Sequence, residues 1–411
     1  MVREGFKETV FGEIPESWSI SEIGAHTKWL SGGTPNRHVK EFWNGSIPWI
    51  SGSTLKQVKI YTSDQFLTEE AIRLGSKMAP LESTLLLVRG SALHKEIRAG
   101  RVTANVSFNQ DVKCLIPDDQ LVPEYLTYYI LGFANRILKL VSSAGNSAGV
   151  LDTKLVKGFP LLLPSRLEQA KVCEALSDVD EWITCLENLM QKKNDVRTAT
   201  MQQLLTGKKR LPGFGEGKHL KQTELGEIPE DWSVLPLGEL LKIRHGKSQK
   251  DVIDPDGKYP ILATGGEIGR AIVPLYNKPS VLIGRKGTID RPYYMATPFW
   301  SVDTLFYSEI AESVDAKFLF YKFLFIDWRQ FNEASGVPSL SSKTIENIKQ
   351  AIPLNKEEQK AISNVLSGFD REIDGLKAQL RKARQIKEGM MQELLTGRTR
   401  LVDAEVGEPE E

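Results

Sequence analysis

The sequence predicts an α+β chain in which two repeated α+β globular domains are each followed by a long coiled-coil helix. Three observations carry this. The stretch from Glu168 to Leu211 recurs from Glu358 to Leu401: Leu204-Leu205-Thr206-Gly207 returns as Leu394-Leu395-Thr396-Gly397, an offset of 190 (394 − 204), and Glu168-Gln169 returns as Glu358-Gln359 at the same offset. Both copies space their apolar residues by alternating steps of four and three, the rhythm of a coiled coil. Outside them, short apolar runs alternate with dense turn residues, the pattern of compact domains built from short strands.

The first helix carries Val172, Leu176, Val179, Ile183, Leu186 and Met190; the second carries Ile362, Leu366, Phe369, Ile373, Leu376 and Leu380, continuing through Ala383, Met390 and Leu394. These side chains are core and imply no cofactor. A helix of about 33 residues spans roughly 50 Å, and two in one chain can zip together. Such a pair predicts a spacer of set length.

The repeat extends into the domains. Gly12-Glu13-Ile14-Pro15-Glu16-Ser17-Trp18 returns as Gly226-Glu227-Ile228-Pro229-Glu230-Asp231-Trp232, an offset of 214 (226 − 12). Pro123-Glu124-Tyr125-Leu126 corresponds loosely to Ala316-Lys317-Phe318-Leu319, and Ser147 to Leu151 stands opposite Ser335 to Leu340. The first domain is longer by about 24 residues (214 − 190), placed before the first helix. These marks divide the chain into a first domain over 1–163, a helix over 164–211, a second domain over 212–353, a helix over 354–402 and an acidic tail over 403–411. Between the shared marks the two domains diverge, which suggests one scaffold carrying two recognition surfaces.

Within the domains, Leu85-Leu86-Leu87-Val88 and Val281-Leu282-Ile283 read as strands, while Ser31-Gly32-Gly33-Thr34-Pro35 and Asp254-Pro255-Asp256-Gly257 read as turns. Tyr125 to Leu140 and Lys317 to Phe331 have helical spacing and enough aromatics to cover a sheet. The first long helix is expected to stop near Gly207, where Lys208-Lys209-Arg210-Leu211-Pro212-Gly213 begins a linker.

Composition narrows the function classes. The 411 residues carry 53 Lys and Arg against 53 Asp and Glu, so no overall basic field announces a nucleic-acid coat. Local balance differs, with ten Lys and Arg against five Asp and Glu between Lys242 and Arg291. Cys114, Cys173 and Cys185 form no CxxC pair, as expected for reduced thiols in a cytoplasmic protein. The N-terminus has no apolar signal region, and no run approaches the 18 apolar residues of a membrane span. A soluble cytoplasmic protein is predicted.

Catalytic motifs are wanting. Gly246-Lys247-Ser248 has Leu241 where a phosphate-binding loop needs glycine. Gly265-Gly266-Glu267-Ile268-Gly269 lacks the dinucleotide spacing, and Asp290-Arg291-Pro292-Tyr293 has Arg where an amino-methyltransferase loop has Pro. The five histidines (His26, His38, His94, His219, His245) make no metal-ligand spacing. A non-catalytic chain without a metal or cofactor of its own is expected.

What gathers in the divergent middles is DNA-reading chemistry. The first domain offers Arg37, His38, Lys40, Asn44, Lys56, Gln57, Arg89, Ser91, Lys95, Arg98 and Arg101, with Trp43 and His94 among them. The second offers Arg244, Lys247, Gln249, Lys250, Arg285, Lys286, Thr288 and Arg291, with His245. Arg matches guanine and Asn or Gln matches adenine in the major groove, while Lys, Ser and Thr more often grip phosphate. Any one of these residues alone is ordinarily a solvated surface group; the cluster carries the argument.

The whole pattern resembles the specificity subunit of type I restriction–modification systems. The residues that carry it are the Gly226 to Trp232 opening, Ser31-Gly32-Gly33-Thr34-Pro35 with Ile47-Pro48-Trp49, Phe108-Asn109-Gln110-Asp111, and the closing Gln202 to Gly207 and Gln392 to Gly397. The resemblance covers nearly the whole chain. It implies two target recognition domains, each reading half of a gapped double-stranded DNA site, and two helices packed as an antiparallel coiled coil. It further implies two modification subunits that use S-adenosylmethionine, and restriction subunits that use ATP and Mg. Recognition domains diverge within the family, so no base-contacting residue transfers. Self-association of the isolated chain stays open. A self-sufficient restriction or modification enzyme and a protein-binding coiled-coil adaptor are the competing readings.

Overall fold

The computed structural model describes residues 2–143, 148–215 and 219–402. Ser147 of the repeat and the acidic tail over 403–411 lie outside the described residues. The chain divides into two compact units, Met1–Leu186 with Gln379–Glu411, and Glu187–Ala378. Each unit therefore combines one globular domain with part of both long helices, Arg166–Leu205 and Lys356–Leu394.

The first unit opens on a hairpin, Phe6–Thr9 paired with Gly12–Pro15. Its main sheet has five strands in the order Thr27–Ser31, Val112–Pro117, Thr84–Leu87, Ala99–Val102 and Lys59–Ile60. The central strand Thr84–Leu87 is buried throughout, as its unbroken apolar run requires. A second sheet has the order Phe66–Leu67, Ile47–Ile50, Val106–Phe108 and Lys77–Ala79. The helix Pro123–Gly132 covers the main sheet with Tyr125, Leu126 and Tyr129 fully buried. The expected single helix from Tyr125 to Leu140 is two: the first ends at Gly132 and a short one, Ala134–Leu138, follows. Phe133 lies between them with its N–H on the Tyr129 carbonyl, and its buried ring closes the corner.

The second unit repeats this plan with fewer parts. Its hairpin pairs Leu220–Thr223 with Gly226–Pro229, and its main sheet has the order Leu241–Arg244, Leu305–Ile310, Ser280–Gly284 and Tyr293–Met295. The covering helix is Ala316–Phe325, capped by the Asp315 side chain accepting from the Phe318 N–H. The expected run to Phe331 breaks after Phe325, and Trp328–Phe331 is a separate 3-10 turn started by Asp327. The helix Glu69–Gly75 and the edge strand Lys77–Ala79 of the first unit account for part of its extra length.

The repeated Leu-Leu-Thr-Gly stretches now have a physical reading. Thr206 and Thr396 turn their hydroxyls back onto the carbonyls of Gln202 (2.6 Å) and Gln392 (2.5 Å). Gly207 and Gly397 take left-handed φ values of +74° and +68°, the usual helix-ending conformation. A Cβ at either would collide with a proline ring, Pro229 in the second unit and Pro15 in the first. The leucines bury: Leu394 and Leu395 join the core of the first unit with Trp18 and Leu176, and Leu204 and Leu205 join that of the second with Trp232 and Leu366.

Within each unit the helix segments run antiparallel. In the second, Lys193 meets Glu372 (2.6 Å) and, further along, Arg197 meets Asp370 (2.6 Å). In the first, Asp180 meets Lys387 at 2.6 Å, and Glu168 at the start of one helix meets Arg400 just past the end of the other. Of the expected seam residues, Leu176, Leu186, Leu366 and Ile373 are buried, and Val179, Ile183, Phe369 and Leu376 are partly so.

Candidate nucleic-acid interface

Two sets of matched polar contacts join each globular domain to its helix segments. Glu168 and Glu358, each about 1% exposed, accept bidentate pairs from Arg400 and Arg210. Beside them Gln169 accepts from the Val122 N–H and Gln359 from the Asp315 N–H, which fixes where each covering helix begins. Further along, Tyr128 donates to Asp180 at 2.9 Å and Tyr321 to Asp370 at 2.5 Å. Burial first, and then the neighbouring carboxylate, pushes both phenols well above their usual range. One difference stands out: the Trp18 indole donates to Glu168 at 3.0 Å, whereas the buried Trp232 N–H has no partner among the described residues.

In the first unit an open cleft of about 960 Å³ brings together Arg37, Lys56, Arg89, Ser91, Lys95 and Arg98 of the predicted residues, with His94. The loop after Thr27–Ser31, the end of Ile47–Ile50, the end of the central strand and the 3-10 turn Ser91–His94 supply its walls. Arg37 lies over the rings of Trp43 (4.9 Å) and Trp49 (5.5 Å), which meet edge to face at 5.0 Å. Arg98 is partly spent, donating to Glu96 at 2.7 Å and to the Gly52 carbonyl at 2.8 Å.

Sequence reasoning missed seven polar residues of this cleft as site residues: Thr34, Ser51, Ser53, Glu96, Asn109, Gln110 and Asp111. Thr34 donates to Gln110 Oε1 at 2.6 Å, which orients the amide. The signal was present, because Asn109 and Gln110 follow the apolar strand Val106–Phe108 just as Arg89 follows Thr84–Leu87.

Other predicted residues fall outside the cleft. His38, Lys40, Asn44 and Gln57 are exposed but do not line it. Arg101 is turned away and held by Glu82 (2.7 Å) and Glu124 (3.2 Å).

In the second unit Thr288 and Arg291 line a hollow of about 570 Å³ with Asp290, Arg329, Asn332 and Pro338. Its Asp290 and Arg329 form an ion pair at 2.7 Å, and that partner holds the Asp290 carboxyl below its usual range. Arg244 pairs with Glu309 at 2.8 Å. Arg285 donates to the Asp303 carbonyl at 3.3 Å. Lys247, Lys250 and Lys286 are exposed and Gln249 is partly buried. The hollow does not include these last residues.

Among the described residues no cluster of His, Cys, Asp or Glu could hold a metal ion, and no helix is long and apolar enough to cross a membrane. The first cleft offers cations, amides and aromatic faces. That is the chemistry of phosphate and base-edge contacts.

The chain is 32% identical over 194 residues to the EcoR124I/EcoR124II specificity subunit of an Escherichia coli type I restriction enzyme, an alignment that spans 47% of this chain and about half (46%) of that relative. It is 27% identical over 438 residues to the MjaVIII specificity subunit of Methanocaldococcus jannaschii, covering 97% of this chain and 96% of the relative. The crystal structure of a type I restriction–modification S subunit from M. genitalium has the same fold, with a TM-score of 0.63 at 17% identity over 92% of this chain and 96% of that one. A family model described as the type I restriction modification DNA specificity domain matches residues 15–197 and again residues 229–384, and the chain belongs to that family.

Proposed function

We propose that this chain is the sequence-specificity subunit of a type I restriction–modification complex and reads a split double-stranded DNA target, one half through each globular domain. The observation that carries the reading is the double family match, one per domain, on domains that share one framework and diverge between the shared marks. The cationic cleft of the first unit supports it. Arg and Lys side chains there suit phosphate and guanine, and the Gln110 amide suits a base edge. Because the chain has equal numbers of acidic and basic residues, its hold on DNA rests on local cation sets and falls as salt rises.

On this reading the chain itself performs no chemistry. S-adenosylmethionine belongs to two modification subunits, and ATP with Mg to the restriction subunits. The long helices serve as spacer and as the surface on which those subunits dock, in the cytoplasm where the DNA is.

The test is a genome-wide map of methylated adenine in the host with and without this gene. Loss of methylation at one split, gapped motif is expected. An unchanged map would favour a protein-binding adaptor instead.

A further inference from the structure

The central strand ends the same way in both units, and its hydrogen bonds fix a residue-by-residue equivalence. In the first unit the N–H groups of Val88 and Arg89 both donate to the Asp111 carbonyl, at 2.8 and 3.3 Å, and the Leu151 N–H donates to the Val88 carbonyl at 2.8 Å. In the second, Arg285 and Lys286 both donate to the Thr304 carbonyl, at 2.8 and 3.3 Å, and the Leu340 N–H donates to the Arg285 carbonyl at 3.0 Å. Strand register agrees, with Val112 opposite Leu87 and Leu305 opposite Gly284. The next residue is a glycine of positive φ in both, Gly90 at +151° and Gly287 at +86°. Arg89 is thus the counterpart of Lys286, and Arg285 that of Val88.

The side chains sort accordingly. Arg285 is half-buried and engaged with the Asp303 carbonyl. Arg89 and Lys286 are exposed, and among the described residues neither side chain makes a hydrogen bond or ion pair. Next to them the units differ: Asn109-Gln110-Asp111 in the first stands where the second has Val302-Asp303-Thr304. A free cation is the feature that this point of the surface keeps in both. The glycine after it presents no side chain, so a base edge can come close.

We propose that Arg89 and Lys286 are matched specificity-determining residues, each contacting a guanine at the corresponding step of its own half-site. The inference rests on the proposed function. Guanine offers the O6 and N7 acceptors that a guanidinium or ammonium matches in the major groove.

The experiment selects duplexes from a randomised DNA library with the full chain assembled with its modification subunits, as wild type and as Arg89→Ala and Lys286→Ala. Both side chains are exposed, and unchanged melting curves would show that each variant folds. Each variant is expected to lose about 5- to 150-fold of discrimination for guanine at a single position of one half-site, with the other half-site unchanged. A loss spread evenly over all sequences, with the salt slope reduced by about one, would make the residue a phosphate contact and overturn the inference. So would variants that select the same split motif with undiminished preference, and in that case the proposed function would stand. A wild-type complex that selects no split motif would instead defeat the proposed function itself.

Discussion

Arg400 donates from Nε to Glu168 Oε1 at 2.9 Å and from Nη2 to Oε2 at 2.8 Å, joining residues 232 positions apart. The second unit has the same pair in Arg210 and Glu358, where the guanidinium also takes Asp231 at 2.9 Å. Each arginine follows the end of one long helix, and each glutamate begins the other. The first unit is therefore completed by residues from the far end of the chain.

Replacing Arg400 by Ala leaves Glu168, about 1% exposed, as a buried carboxylate with only the Trp18 indole for partner. Removing one partner of a buried ion pair costs about 3–5 kcal/mol, and the quarter exposure of Arg400 points to the lower end. Denaturant unfolding should show a loss of about 3 kcal/mol in the first unit. Lys377→Ala, which breaks the exposed pair with Asp374, should change stability by less than about 0.5 kcal/mol. Equal effects from the two would contradict this account.

Gly207 and Gly397 predict a second contrast. Alanine at either must hold a left-handed backbone, worth about 1–2 kcal/mol, and must also push against the ring of Pro229 or Pro15. Gly213 has a similar φ of +85° with nothing within 4 Å of a built Cβ. Gly213→Ala should cost about 1 kcal/mol and the two helix-end variants about 2–4 kcal/mol. Melting temperatures of the three variants check the order.

How much of this was legible beforehand follows from the repeat. The offset of 190 maps Glu168 onto Glu358, Asp180 onto Asp370, Arg197 onto Lys387 and Arg210 onto Arg400, so the ion-pairing residues of the two long repeats recur, while their domain partners Tyr128 and Tyr321 stand 193 apart. Which copy pairs with which was not legible. Identical repeats carry the same side chains, and only the chain path puts Arg400 on Glu168 and not on Glu358. The residues just beyond the strand ends were less legible for a different reason. The apolar run Val281 to Ile283 reads as a complete strand, yet pairing continues through Gly284, opposite Leu305. That single residue changes which cation of Arg285 and Lys286 is free. Periodicity marked the strands, but register decides the surface.

Arg101 is a structural cation, unlike those that line the cleft. Its guanidinium bridges Glu82 and Glu124 on the flank of the main sheet. Charge-assisted hydrogen bonds of this kind contribute about 1.5–3 kcal/mol each when partly buried. Arg101→Ala should lower the stability of the first unit by about 2 kcal/mol and leave DNA affinity of the folded complex unchanged. A tenfold loss of affinity without destabilisation would place Arg101 at the DNA after all.

Lys322 supplies the pH dependence. Its ammonium group is buried in the covering helix of the second unit and donates to the Leu205 carbonyl at 2.9 Å, at the end of the first long helix. Burial lowers its pKa from 10.5 to about 7. In the unfolded chain the amine holds its proton up to the ordinary lysine range, so between those two values the unfolded state binds more protons than the folded one. Stability of the second unit must then rise with pH across that window, by up to about 1.4 kcal/mol per pH unit. Below pH 7 both states are protonated and the dependence fades; above 10.5 both are neutral. Lys322→Met removes the titrating group while keeping the volume, at the cost of one helix-end hydrogen bond. Denaturant unfolding between pH 7 and 10 should slope upward in the wild type and lie flatter in the variant. Parallel slopes would mean that Lys322 stays charged in the fold, with its proton held by the Leu205 carbonyl against the cost of burial.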